Sequence, residues 1–253
     1  VTLLLISWGL PVLAGPFPAD VVVLGEAHDN PHHHARQAAI VAEVQPTALV
    51  FEMLTEAQAS AHIPGADAAT LAAAFEWDSS GWPDFEMYYP IFAAAPDARV
   101  FGAGVPRAAA RQAMTDGLVI AFGTGAETYG LTTPLDAAQQ EAREALQMTA
   151  HCDALPEDIL PAMVDIQRLR DAQLATMALR AFEQTGGPVV VITGNGHART
   201  DWGMPVYLNR AAPDVSITTL GQGEAGVAPA GTFDVVEYTD GLEREDPCAA
   251  FKS

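Results

Sequence analysis

Apolar residues run without alternation through Val21–Leu24, Ala48–Phe51 and Val189–Ile192. An unbroken apolar run of this length, rich in β-branched residues, is the signature of a strand buried on both faces of a parallel sheet. Strands are predicted over 17–24, 48–51, 98–101 and 188–192, with closing strands over 217–220 and 232–238. Between them the period changes to that of helices. Pro31 opens a helix over about 32–44, with Ala, Ile and Val on its inner side. An alanine-rich helical stretch covers 55–74 and breaks at Ile63-Pro64-Gly65. A short helix is expected over 107–114, a loop over 118–130, and a last helix from about Asp201 to Leu208. Two long helices, 134–151 and 156–182, form an αα-hairpin. Strands alternating with helices predict an α/β fold: a central, mainly parallel sheet with flanking helices and a smaller helical hairpin subdomain. The expected organisation is one α/β domain over 16–222, carrying the helical insertion at 134–182. A C-terminal strand and tail follow over 223–253.

The polar residues that matter stand where the buried runs stop. The first strand runs into Gly25-Glu26-Ala27-His28-Asp29-Asn30, the second into Glu52, and the fourth into Thr193-Gly194-Asn195-Gly196-His197-Ala198-Arg199. Parallel sheets bind ligands in the crevice outside the carboxyl ends of their strands, so these ends are one candidate site. Two imidazoles with two carboxylates suit general acid/base chemistry or a divalent metal in a nitrogen/oxygen environment. Glu26, His28, Glu52 and His197 are therefore candidates both for catalysis and for metal binding. Asp29 and Asn30 equally suit the role of helix N-cap. In the second hairpin helix, Gln167, Arg170 and Asp171 interrupt an apolar stripe at three- and four-residue steps. They mark contact with a site or a buried network, or else a solvated strip. The densest aromatic region is 75–92. There Trp77, Trp82, Tyr88 and Tyr89 carry polar handles and are candidates to line a flat apolar ligand, whereas Phe75, Phe85 and Phe92 read as core.

Charge narrows the partners. With 32 acidic residues against 12 Lys and Arg, the formal net charge is -20. That lacks the cationic footprint that nucleic acid or an anionic membrane surface needs. Any anionic ligand must be met by a local arginine cluster against the global field. Residues 1–15 hold an apolar run too short to span a bilayer, and Val12-Leu13-Ala14 fits the small-residue rule of a signal-peptidase site. This stretch reads as the remnant of a signal peptide, or else as a first core element. In an exported protein, Cys152 and Cys248 most simply form one disulfide; in a reducing compartment both are thiols.

Taken in order, Gly25-Glu26-Ala27-His28-Asp29-Asn30, Phe51-Glu52-Met53, the 82–92 aromatic segment, His151-Cys152-Asp153-x-Leu155-Pro156, Gln167-x-x-Arg170-Asp171 and Gly194-Asn195-Gly196-His197-Ala198-Arg199 resemble the ChaN family. These are iron-regulated, haem-binding proteins of bacterial envelopes within the wider Tiki/erythromycin-esterase-like superfamily. The resemblance implies haem as cofactor, bound at a homodimer interface with tyrosine on the iron. Tyr89 is the first choice and Tyr88 the second, with Trp82, Trp77 and Arg199 around the cofactor. It also implies a periplasmic or envelope location, a part in haem and iron uptake or storage, and supply from an outer-membrane haem receptor system. The wider superfamily implies an alternative, a metal-dependent hydrolase using Glu26, His28, Glu52 and His197. A third reading is an envelope protein that holds a divalent metal without turnover.

Overall fold

The computed structural model describes residues 17–246 together with Cys248 and Ala249. The segment read as a signal-peptide remnant lies outside these residues. The elements follow one another as β1 (Val21–Glu26), α1 (Pro31–Val44), β2 (Ala48–Phe51), α2 (Glu56–Ala59), α3 (Ala68–Ala74), α4 (Phe85–Ala94) and β3 (Arg99–Gly102). Then come α5 (Arg107–Asp116), α6 (Leu118–Phe122), α7 (Ala137–Ala150), α8 (Leu160–Thr185) and β4 (Val189–Gly194). The chain closes with α9 (Asn195–Ala198), α10 (Met204–Ala211), β5 (Ile217–Glu224) and β6 (Val235–Thr239).

All six strands pair in parallel, in the order β3-β2-β4-β1-β5-β6. The fold is therefore α/β, as the alternation of elements predicts. β1, β2 and β4 are buried from end to end because alternate side chains point to opposite faces and both faces are covered. Val21, Val23, Ala48, Val50, Val189 and Val191 join one core with residues of α8 and α10. Val22, Leu24, Leu49, Phe51, Val190 and Ile192 join the other with residues of α1 and α4.

The α7–α8 hairpin forms over nearly the expected residues, and α8 is part of the main body. Its Ala172, Leu174, Ala175 and Ala178 are buried in the same core as the sheet. The disulfide between Cys152 and Cys248 is present, tying the hairpin turn to the C-terminal tail across 96 residues of sequence. The segment 118–122, expected as loop, is a helical turn. It runs between Gly117 and Gly123, both at positive φ, and Leu118 fills the core. β5 runs through 222/223, so the expected boundary there falls inside a strand. Among the described residues no helix is long and apolar enough to cross a membrane.

Candidate functional site

β4 lies between β1 and β2. That insertion makes one site of three strand ends, since Glu26 closes β1, Glu52 follows β2, and His197 sits on α9, which starts directly after β4. These residues line a cleft of about 760 Å³, together with His28, Trp82, Arg107, Gln167 and Arg170. Small glycines let the walls approach. A Cβ on Gly194 would stand 2.9 Å from His28 Nε2 and 3.8 Å from a Glu52 oxygen.

The polar side chains form a chain across the sheet edge. Tyr88 donates its hydroxyl to Glu26 Oε1 at 2.9 Å, and His28 Nδ1 meets the same oxygen at 2.8 Å. His34 Nδ1 stands 3.3 Å from Glu26 Oε2, an ion-pair distance without an aligned hydrogen bond. His28 Nε2 faces Glu52 Oε2 at 4.0 Å, and His197 Nε2 faces Glu52 Oε1 at 3.6 Å. Glu52 Oε2 also accepts from the Thr193 hydroxyl at 2.6 Å and the Gly194 amide at 2.9 Å. On the far side, His197 Nδ1 is 2.6 Å from Asp171 Oδ1. His28 and His197 are thus each oriented by a carboxylate at Nδ1 and turn Nε2 toward Glu52, whereas His34 Nε2 meets the His28 carbonyl at 2.9 Å.

Burial and pairing pull the ionisations in opposite directions. Burial raises the Glu26 carboxyl, but the bonds and charges of His28 and His34 more than offset it and bring it down to about 2. Burial likewise raises Glu52, and His197, His28 and the two donors bring it below its ordinary value. Burial lowers His197, while Glu52 and Asp171 raise it to about 9. His28 is raised, its burial outweighed by Glu26 and Glu52. Its side chain keeps 32% of its exposure, so it is more open to the cleft than Glu26, Glu52 or His197. The arrangement can hold and move protons along Glu26–His28–Glu52–His197–Asp171.

It makes no metal cage. Among the described residues no group of three or more His, Cys, Asp or Glu is disposed to hold a metal ion. The divalent ion expected on Glu26, His28, Glu52 and His197 finds those donors already committed to one another, to Tyr88 and to Asp171.

Of the aromatic and basic candidates, Tyr88, Trp82 and Trp77 gather around Glu26 and His28, while Tyr89 and Arg199 stand apart. Trp82 lines the cleft and packs on His28, ring centroids 4.8 Å apart. Trp77 is buried and donates its indole N–H to the Pro83 carbonyl. Tyr88 is fully buried, and burial beside Glu26 holds its phenol protonated far above the ordinary range. Tyr89 is half-buried and borders a separate hollow of about 210 Å³ with His62. Arg199 is buried, paired with Asp201 and stacked on Trp202 at 3.9 Å.

Of the remaining members of the polar chain, Asp171 is expected from the sequence only as part of a polar trio on α8, and His34 is not expected at all. Asp171 is the polar interruption of the α8 stripe, a signal visible in the sequence but not traceable to a partner. His34 lies on the inner face of α1 with Gln37 and Val41, at three- and four-residue steps. Asn30 is the N-cap of α1, its side chain accepting from the His32 amide.

The geometry can be set beside known proteins. A family model described as haem-binding uptake, Tiki superfamily, ChaN matches residues 17–208. No curated protein matches. Among solved structures, ChaN of Campylobacter jejuni, described as binding haem cofacially, is similar at a TM-score of 0.63 and 19% identity, over 86% of each chain. The type III effector HopBA1 is similar at a TM-score of 0.44 and 12% identity, over 88% of this chain and 90% of its own. The fold is shared with Campylobacter ChaN, and the family match runs from just before β1 into α10, taking in β1 to β4. The chain belongs to the ChaN family of haem-binding uptake proteins in the Tiki superfamily.

Proposed function

We propose that this protein binds haem and serves in haem or iron uptake or storage in the bacterial envelope. The observation that carries the reading is the family match over residues 17–208. Haem held this way supplies a ferric centre, which a hard anionic phenolate oxygen suits. Tyr89 is the ligand we assign. Of the five tyrosines, Tyr88, Tyr129 and Tyr207 are buried at 0%, 8% and 5% exposure, and Tyr238 is exposed on edge strand β6. The Tyr89 hydroxyl makes only a long contact, 3.4 Å, to the Ala66 carbonyl. The hollow beside it, about 210 Å³, is smaller than the roughly 300–1,000 Å³ of ordinary ligand pockets. A porphyrin on Tyr89 would project from the surface and need a second surface to cover it. That favours a homodimer, in keeping with the cofacial haems of the similar Campylobacter protein. Location in the periplasm and supply by an outer-membrane haem receptor belong to the same proposal.

Hydrolysis by Glu26, His28, Glu52 and His197 is the weaker reading, because the matching family model is a haem-binding one. The test is a haem titration followed in the Soret region. Wild type is expected to saturate. Tyr89→Phe should alter the spectrum, while Tyr88→Phe and Glu26→Gln leave it unchanged. An unaltered Tyr89→Phe spectrum removes the ligand assignment, and absence of saturation in wild type removes the haem reading.

A further inference from the structure

The sheet-edge cleft contains two arginines with nothing to bind. Arg107 opens α5, and Arg170 lies on α8 on the same face as Gln167 and Leu174; all four line the cleft. Among the described residues, neither guanidinium makes a hydrogen bond or ion pair. Arg107 is exposed and Arg170 half-buried. Five other arginines pair with acids: Arg36 with Glu237, Arg168 with Asp165, Arg180 with Glu56, Arg199 with Asp201, and Arg244 with Asp29 and Glu224; among the described residues Arg111 and Arg210, outside the cleft, do not. Arg170 moreover works against the protonation of His197, which places its charge within reach of the cleft.

The rest of the lining says what size and kind of molecule would fit. The volume, about 760 Å³, is that of a small-ligand pocket. Gln58, Gln167 and Asn195 add amide groups, and Trp82 adds a flat apolar face beside His28. Guanidinium groups recognise carboxylate and phosphate through paired N–H donors, with strength and geometric selectivity that neutral donors lack.

We propose that Arg107 and Arg170 form an oxyanion-binding wall, taking the carboxylate or phosphate of a small ligand whose flat part lies against Trp82. The ligand is a small acid distinct from a haem on Tyr89, whose hollow shares no lining residue with the cleft. The wall does not depend on haem ligation by Tyr89.

The experiment is calorimetric titration of the haem-free protein with inorganic phosphate and with phthalate, an aromatic dicarboxylate. Wild type is expected to bind at least one probe saturably at one site. Arg107→Gln and Arg170→Gln should each weaken it about tenfold or more, and the double variant should abolish it. Arg111→Gln, exposed further along α5 and outside the cleft lining, should leave it unchanged. Neither Arg107 nor Arg170 bonds within the protein, so all variants should melt like wild type. No saturable binding by wild type, or equal binding by the double variant, overturns the proposal. Repeating the titration on haem-loaded protein should leave probe binding unchanged. Loss of probe binding would place the haem itself in the cleft and overturn the separate ligand. Saturable probe binding without a Soret response would leave the wall standing and remove the haem reading alone.

Discussion

At the scale of single residues, the strand-end site is held by buried charges that only their neighbours make tolerable. A buried carboxylate stripped of its partner costs more than an ordinary hydrogen bond contributes. Tyr88→Phe removes the donor at 2.9 Å from Glu26 Oε1 and is expected to destabilise the fold by about 1–3 kcal/mol, read in a denaturant melt. The same groups set the pH dependence. Glu26 sits at about 2 in the folded protein against an ordinary 4.5, so its contribution is complete above 4.5 and is lost as pH falls toward 2. His197 is raised from 6.5 to about 9, so its contribution is complete below 6.5 and is lost as pH rises through 9. Thermal melts across pH should show both limbs, and His197→Gln should flatten the alkaline one. An alkaline limb that survives this substitution would belong to another group.

Among the elements, the strands were the most legible. Val21–Leu24, Ala48–Phe51 and Val189–Ile192 announce themselves because a strand buried on both faces has no polar position to lose. α6 was not legible: a five-residue apolar run between two glycines carries no period, and its helical state comes from packing Leu118 into the core. The aromatic stretch was legible in part: Phe75, Phe85 and Phe92 are core as expected. Trp77, Trp82, Tyr88 and Tyr89 are alike in chemistry, yet the 3-10 turn at Trp77–Ser79 and the start of α4 bury Trp77 against Tyr88, leave Trp82 on the cleft and turn Tyr89 to a separate hollow. The element junctions depend on close backbone approach. A Cβ on Gly25 would lie 2.5 Å from Asn195 Oδ1 and 2.9 Å from the Leu220 carbonyl. Asn195 bridges to the Gln222 backbone through both ends of its amide. Gly25→Ala should therefore separate β1 from α9 and β5, costing about 1–3 kcal/mol or more by overpacking and loosening the site. A melt indistinguishable from wild type would show that the junction yields freely.

For the molecule as a whole, the disulfide closes the C-terminal tail onto the hairpin turn. Cross-linking residues 96 apart restricts the unfolded chain by about 4–5 kcal/mol in the entropy model. The double variant Cys152→Ser, Cys248→Ser, or treatment with reductant, should lower the unfolding midpoint substantially while leaving the sheet-edge cleft intact. A midpoint unchanged by reduction would mean that the unfolded tail was already restrained. Arg244 makes a second clasp of the same tail by bridging Asp29 and Glu224, but at exposed positions where ion pairs contribute little.

The sequence by itself determined the class of fold and the identity of the strand-end residues. Hydrophobic period and helix punctuation are local properties, and a glycine followed by acid and imidazole is visible wherever it stands. It also carried the ordered motifs that mark the family. Only the tertiary structure decided which of these residues meet. β4, nearly 140 residues after β2, inserts between β1 and β2 and so brings His197 against Glu52. α8 delivers Asp171 to His197 and Arg170 to the cleft, while Tyr88 is turned inward to Glu26 and Tyr89 outward to a separate hollow. Strand order and the direction of a side chain are set by long-range packing, which no local pattern encodes.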